Sequence, residues 1–455
     1  MTSPAVAEPS RDRPRILIDD SEYWLLNMGD LAMLDVTVRR LRERWPRADI
    51  GVLTEAPALL RAYLPGVRPI VPWGTSAWSS ASPLARLAET LGPRVVGPYS
   101  IGRLLVGARV REVVGSWARR LGHAAPTVLR RGRTEPARGT DEGVAVGAGP
   151  AGRLPPNTAA AAAASSLVVA LGGGYLTDVD PTQTTRVLDL LELASRRGIP
   201  TAMLGQGLGP LEDPALLSRA AAVLPHVDVI ALRERRSGPA LLERVGVASS
   251  RVVVTGDDAI ELAHSRRPAD LGHDLGICLR IAGYSPVSER ARASVAAGLH
   301  STARELGTQL APVIISEFRS EDRRSTLPLV EGSQRARRPL GRFARPQDVA
   351  AQVGRCRVLV TGAYHAGVFA LSQGVPVVAL TSSAYYDDKF LGLAEMFGAG
   401  LELVRLDGDD LGARLPDAIR SVWAQAPGLR MALLASAAEQ IALGRSSFER
   451  VCGLV

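Results

Sequence analysis

The sequence predicts an α/β protein of two Rossmann-like domains facing each other across a cleft, and three observations carry that prediction. Short apolar, β-branched runs of about 4–8 residues alternate with helical stretches, the pattern of βαβ units and parallel sheets. The series starts afresh near Asp274, after the polar connection HSRRPADLGH. At 455 residues the chain is also too long for one ordinary core, so two domains of roughly 200 residues are expected.

In the first series a strand at Arg15–Ile18 leads into a helix over Asp30–Trp45 and further strands at Ile50–Thr54 and Arg68–Val71. The stretch from Ala81 to Leu121 reads as helical and rich in arginine. From His123 to Ser166 the chain is rich in Gly, Pro and Ala and has no period, which predicts a flexible surface insertion. Its RRGR run has the charge to touch an anion, although a solvated loop is the plainer reading. Order returns with LVVALGGG (Leu167–Gly174), a helix near Thr182–Arg197, and strands at Thr201–Gly207, Val227–Arg233 and Val252–Asp258. The second series places strands at Asp274–Arg280, Leu310–Ser316, Arg357–Gly362, Val375–Leu380 and Leu401–Leu406, with helices between them. A last Ala-rich helix covers Leu429–Leu443. The expected organisation is a flexible leader (1–14), an N-terminal domain (15–268) carrying the insertion (123–166), and a C-terminal domain (269–455).

Composition narrows the function. Hydrophobic residues at 46% and charged residues at 22% are ordinary for a soluble globular protein. A net charge of +8 favours an anionic partner. Aromatics are only 4%, without the basic-aromatic interleaving of a base-stacking platform, so a small anion is expected rather than nucleic acid. Cys278, Cys356 and Cys452 form no CxxC pair, which argues against a zinc knuckle or a disulfide framework and for a reducing cytoplasm. The N-terminal residues lack an apolar signal region, and no apolar run reaches about 18 residues. The chain reads as soluble, with peripheral membrane association left open.

In open α/β sheets ligands sit at the carboxyl ends of strands, so the residues just after each strand are the candidates. NMGDLAML follows the first strand, and its Asp30 can cap the helix or face the cleft as an acceptor contact. GGGYLTD brings Gly173 and Gly174 as a backbone cradle, with Asp178 as a sugar contact or a helix cap. GQGLGPL repeats the device with Gln206 and Gly207, where a structural turn explains the residues equally well. Arg233 ends its strand as a carboxylate- or phosphate-binding fork, beside Arg235 and Arg236, which read as surface residues. Arg280 closes the first strand of the second series as an anion contact or an ion pair. His365 lies in TGAYHAGVFALSQGVPVVAL at a helix start, as a structural histidine or an acid–base group. Lys389 follows Tyr385, Tyr386, Asp387 and Asp388 as a phosphate charge or a solvated loop lysine.

Taken together, NMGDLAML, LGGGYLTD, GQGLGPL, ALRERRSGPALLERVG, TGDDAIEL, GICLR and TGAYHAGVFALSQGVPVVALTSSAYYDDKF resemble the polysaccharide pyruvyl transferase family, in the same order over nearly the whole chain. The resemblance implies a GT-B-like fold and transfer of a pyruvyl group from phosphoenolpyruvate to a sugar or glycan, closing a cyclic ketal across two hydroxyls. It implies His365 as the general acid, Asp30 beside it or on the acceptor, Arg233 and Lys389 as donor-binding cations, and Asp178 on the acceptor. No redox cofactor or metal is implied. One departure stands out: Ala363-Tyr364-His365 occupies the turn where the family commonly has Arg-Leu-His, and Arg280 or Lys389 is the expected substitute cation. The pattern Asp257-Asp258-Ala259 likewise replaces Asp-Pro-Ala. A GT-B glycosyltransferase using a nucleotide sugar, or a non-catalytic sugar-binding homologue, is the alternative.

Overall fold

The computed structural model describes residues 13–20, 23–74, 78, 83–122, 154–282, 285–317 and 321–455. Its strands form two wholly parallel sheets, so the α/β class and the paired Rossmann-like sheets are as the sequence predicts. The first sheet holds β1 (Arg15–Asp19), β2 (Asp49–Leu53), β3 (Arg68–Ile70), β4 (Leu167–Leu171), β5 (Thr201–Gln206), β6 (Val229–Leu232) and β7 (Val252–Val254). Its spatial order is β3-β2-β1-β4-β5-β6-β7. The second holds β8 (Asp274–Cys278), β9 (Leu310–Pro312), β10 (Cys356–Thr361), β11 (Val377–Thr381) and β12 (Leu401–Arg405), ordered β12-β11-β10-β8-β9.

Central strands such as Leu-Val-Val-Ala-Leu in β4 are apolar at every position because both faces are covered. The order of each sheet reverses once, between β1 and β4 and between β8 and β10, and a crevice opens outside the strand ends at such a reversal. The tips of β1 and β4 therefore carry the NMGD and GGG turns. Those of β8 and β10 carry Arg280 and the turn before His365.

Helix α1 (Met28–Arg44) ties the two halves together at its first turn. Asn27 caps it by accepting from the Gly29 N–H at 3.0 Å, so the cap expected of Asp30 is supplied three residues earlier. The Met28 N–H donates to the Ile315 carbonyl at 2.8 Å, and the Glu317 N–H to the Leu26 carbonyl at 2.9 Å. The start of α1 is thus pinned to the second sheet. One hydrophobic core cluster includes residues of both sheets, from Ile16 and Val168 to Leu359 and Val377.

Two sequence expectations need correction. The stretch read as a flexible insertion to Ser166 ends in helix α5 (Pro156–Ala163), with Asn157, Thr158, Ala161 and Ala162 buried. A short Ala run has no polar face to set a period, so the sequence pattern does not reveal it. Residues 1–12 and 123–153 lie outside the described residues. The last helix is also far longer than predicted: α15 runs Leu411–Cys452 through Pro416 and Pro427. Each proline removes one N–H from the ladder, but α15 packs first on α10 (Glu289–Glu305) and then on α9 (Ala259–Ser265), and that burial outweighs the loss. Among the described residues no helix is long and apolar enough to cross a membrane. The three cysteines are free and buried.

Candidate functional site

His365 stands in the first turn of α13 (Tyr364–Ser372), which follows β10 directly. The turn is locked onto the neighbouring strand: the Gly362 N–H donates to the Cys278 carbonyl at 2.9 Å, and Thr361 Oγ1 donates to the same carbonyl at 3.1 Å. Thr361 Oγ1 also accepts from the Ala363 N–H at 2.9 Å, so the turn aims His365 back at the first sheet. There the imidazole lies between two carboxylates. Its Nδ1 is 3.9 Å from Asp30 Oδ1, and its Nε2 is 3.6 Å from Asp257 Oδ2.

Asp257 lies just beyond β7, and its second oxygen accepts from the Ala259 N–H at 2.9 Å. The same Oδ2 that faces His365 is 3.7 Å from Arg233 Nη1. Burial raises the Asp257 pKa, but His365, Arg233 and the Ala259 N–H outweigh it and hold the carboxyl below the usual aspartate value. Arg233, at the end of β6, lays its guanidinium 4.1 Å over the Tyr364 ring. Four buried polar atoms meet here without a hydrogen-bond partner among the described residues: Arg233 Nε, Asp257 Oδ2, Tyr364 Oη and His365 Nε2. Leaving such groups unsatisfied costs about 1–3 kcal/mol each, and orphans of this kind gather where a ligand is to be met.

Lys389 enters from α14 (Ala384–Phe397), with its ammonium 4.0 Å over the Tyr385 ring and 5.3 Å from that of Tyr386. No carboxylate or hydrogen-bond acceptor pairs with it among the described residues. Burial, together with Arg233 and Arg280, pushes its pKa well below the ordinary lysine value, against the pull of Asp30. The sequence held a signal here: of 54 lysines and arginines, Lys389 is the only lysine. A lysine differs from arginine in carrying a compact charge that burial can deprotonate.

The glycines of the strand-end motifs make room for these side chains. A Cβ on Gly29 would lie 1.9 Å from the His365 ring, one on Gly207 2.6 Å from the Arg233 guanidinium, and one on Gly174 2.7 Å from Lys389 Nζ. Gly173 and Gly174 engage through their carbonyls, which accept from the Gly207 N–H at 2.9 Å and from Tyr385 Oη at 3.0 Å.

The structure brings together His365, Asp30, Arg233, Lys389, Gly174 and Gly207. Three other candidates are committed elsewhere. Arg280 is a bidentate partner of the fully buried Asp322, at 2.5 and 2.9 Å. Asp178 accepts from the Glu212 and Asp213 N–H groups at 2.6 and 3.2 Å and so holds their loop, rather than capping the next helix, which Asp180 caps. Gln206 lies in the core, donating to the Ala170 carbonyl at 2.9 Å and to Tyr175 Oη at 3.1 Å. Sequence reasoning misses Asp257, Tyr364 and Tyr385 as site residues. For Asp257 the signal was present, a carboxylate directly after a strand. Position 363 is a fully buried alanine, and the turn over residues 362–365 contains no arginine. Among the described residues no group of three or more His, Cys, Asp or Glu side chains is placed to hold a metal.

A family model described as polysaccharide pyruvyl transferase matches residues 27–383. No curated protein matches the chain. Among solved structures, MnaA from S. aureus, solved with UDP, is similar with a TM-score of 0.52 at 12% identity, over 96% of this chain and 95% of that one. A candidate UDP-N-acetylglucosamine 2-epimerase from Listeria monocytogenes follows with a TM-score of 0.51 at 13% identity, over 96% and 97%. A glycosyltransferase from Rickettsia africae has a TM-score of 0.50 at 9% identity, over 97% and 98%. At such identities the likeness is one of fold, the GT-B type.

Proposed function

The chain belongs to the polysaccharide pyruvyl transferase family, and from that premise we propose that it transfers a pyruvyl group from phosphoenolpyruvate to a sugar, with His365 as general acid. The observation that carries the reading is a pair of neighbouring cations, Arg233 and Lys389, that are short of counter-ions, with Arg233 sharing the Asp257 carboxylate with His365. Lys389 has no hydrogen-bonded partner among the described residues, and Arg233 has only a 3.7 Å carboxylate that it shares with His365. Desolvated like charges destabilise the empty site, and an anion entering between them removes that penalty. Phosphoenolpyruvate carries both a carboxylate and a phosphate.

Protonation of the donor's methylene carbon leaves cationic character on the adjacent carbon, which one sugar hydroxyl attacks. Phosphate then departs, and a second hydroxyl closes the ketal. His365 supplies the proton, Asp257 orients its imidazole, and Asp30 stands on the other ring nitrogen, within reach of an acceptor hydroxyl. Lys389 and Arg233 hold the donor and neutralise the leaving phosphate. Tyr364 and Tyr385 keep the two cations in place from below.

The test is phosphate release from phosphoenolpyruvate that depends on an added sugar acceptor. His365→Ala is expected to lower it by at least about 10²-fold with the fold intact; unchanged turnover removes His365 from the chemistry. Because Lys389 is the chain's only lysine, amine-directed labelling followed by peptide mapping reads its side chain apart from the N-terminal amine, and phosphoenolpyruvate should protect it. A nucleotide-sugar glycosyltransferase is the second reading, favoured by Ala363, which leaves the turn one cation poorer than the family pattern. Thermal stabilisation by UDP- or GDP-sugars and none by phosphoenolpyruvate would decide for it.

A further inference from the structure

Among the described residues, seven of the ten exposed large hydrophobic side chains fall in one stretch of the N-terminal half: Trp73, Leu87, Leu91, Val95, Tyr99, Leu105 and Val106. Single exposed apolar residues are ordinary, but a concentration on adjacent elements marks an interaction surface. Most of these residues belong to α3 (Pro83–Leu91) and α4 (Pro93–Gly122). On α4 the positions 95, 99, 102 and 106 recur at the spacing of one helical face, and Val95, Tyr99 and Val106 are 59%, 70% and 65% exposed. This is not the face by which α4 joins the fold. Val96, Gly97 and Ser100 point the other way and are buried, a Cβ on Gly97 would meet the Phe343 ring at 2.3 Å, and Arg94 reaches Asp348 at 3.2 Å. The helix is therefore apolar on both sides, with one side already in use.

The charge of the segment selects the occupant. Among the described side chains of helix α4, Arg94 is paired with Asp348 at 3.2 Å, while Arg103 and Arg109 are the basic groups left on the outward side. Arg103 and Arg109 are exposed beside the apolar positions. An apolar strip edged by arginine fits the boundary between headgroup and acyl chain, where aliphatic and aromatic side chains enter and guanidinium groups meet lipid phosphates. A nucleic acid is a poorer fit, because the strip is mainly aliphatic and offers few rings for bases to stack on. A second copy of the chain is also a poorer fit, since a two-fold contact through this face presses its arginines together.

We propose that the outward face of α3 and α4 docks the protein on an anionic lipid surface, with Val95, Tyr99 and Val106 entering the interface and Arg103 and Arg109 on the phosphates. The docking is independent of the chemistry assigned to the cleft.

Flotation of the full chain with vesicles tests it. Binding to phosphatidylglycerol–phosphatidylcholine vesicles should exceed binding to phosphatidylcholine alone and should weaken as salt is raised. Arg103→Glu with Arg109→Glu should lower partitioning on anionic vesicles by on the order of tenfold or more, and Tyr99→Glu with Val106→Glu should abolish it. All four positions are exposed, so the melting temperature should stay that of the parent; if the variant combining Tyr99→Glu and Val106→Glu fails to fold, the charge-reversal pair alone decides. No binding to anionic vesicles, equal partitioning of parent and variants, or a dimer dissolved by Tyr99→Glu and Val106→Glu without vesicle binding would each overturn the proposal.

Discussion

Lys389 and His365 differ in what holds them, and the difference sets their pH behaviour. His365 is wedged between Asp30 and Asp257, whereas Lys389 rests on two tyrosine faces with its pKa depressed by burial, Arg233 and Arg280. Because the folded-state pKa of Lys389 lies below its unfolded value of 10.5, the unfolded chain binds the extra proton over the interval between the two. Stability therefore rises with pH through that interval. Lys389→Met should remove this slope and raise stability at neutral pH by about 1 kcal/mol, the size of an ordinary stabilising substitution. Thermal melts of parent and variant across the neutral to alkaline range check it, and a variant that melts lower at neutral pH would contradict the depressed pKa. The same group reverses sign toward an anionic ligand, which needs the ammonium charged. Phosphoenolpyruvate affinity should then fall as pH rises past the depressed pKa, and binding should take up protons. Calorimetry in buffers of different ionisation enthalpy reads that uptake directly, and Lys389→Arg, which cannot lose its proton, should abolish it.

At the scale of elements, the site is an assembly of strand tips in which glycines are placed for the side chains that fill their missing Cβ positions. The sequence showed the strands and their tips clearly, because a fully buried parallel strand reads as an uninterrupted apolar run and the turn after it reads as glycine. It did not show what each glycine admits. That depends on which side chain arrives from the other half of the chain or from a neighbouring strand tip: His365 over Gly29, Lys389 over Gly174, Arg233 over Gly207. The commitment of Gln206 to the core and of Arg280 to Asp322 was hidden for the same reason, since both partners are distant in sequence. Gly29 gives the sharpest test. In the first turn of α1 an alanine is favoured by helix propensity by up to about 1 kcal/mol, so Gly29→Ala is expected to preserve the helix. Its Cβ would nonetheless lie 1.9 Å from the imidazole. Displacement of a catalytic group by about 1 Å costs on the order of 10²-fold in rate. Gly29→Ala should therefore fold, keep its α-helical circular dichroism and lose turnover to that degree. Full activity would mean that His365 need not stand where it does.

The whole molecule is closed by its last helix, the feature least visible in the sequence. Two prolines argued that α15 should be broken, and only tertiary packing overrides that local rule. Its final turns return to the first sheet, where Phe448 and Val451 are buried and Arg445 reaches Glu261 at 2.5 Å. Glu261 also takes Arg40 at 2.6 Å and Arg39 at 2.8 Å, while Arg40 bonds Asp258 at 2.7 Å. This network sits at the start of α9, directly after Asp257, so the carboxylate that lies 3.6 Å from His365 borders residues held by the far end of the chain. Burial raises the Glu261 pKa, but Arg40, Arg445 and Arg39 outweigh it and hold the carboxyl below the usual glutamate value of 4.5. A depressed carboxyl contributes stability that is present above the unfolded pKa and is lost as pH falls through the folded one. Asp258 runs the other way, its pKa raised by burial despite Arg40, so the acid limb of the parent mixes both signs. The comparison of parent with Glu261→Gln isolates the first. That substitution leaves Arg40 buried with half of its pairing and should cost about 3 kcal/mol at neutral pH, as breaking a buried ion pair does. The gap between parent and variant should narrow as the pH is lowered below 4.5, the value of an unperturbed glutamate, because the parent then loses what the variant already lacks. If unfolding curves show a gap that stays constant into acid, the stabilisation does not come from the ionised Glu261, and the link from α15 to the start of α9 must run through apolar packing instead.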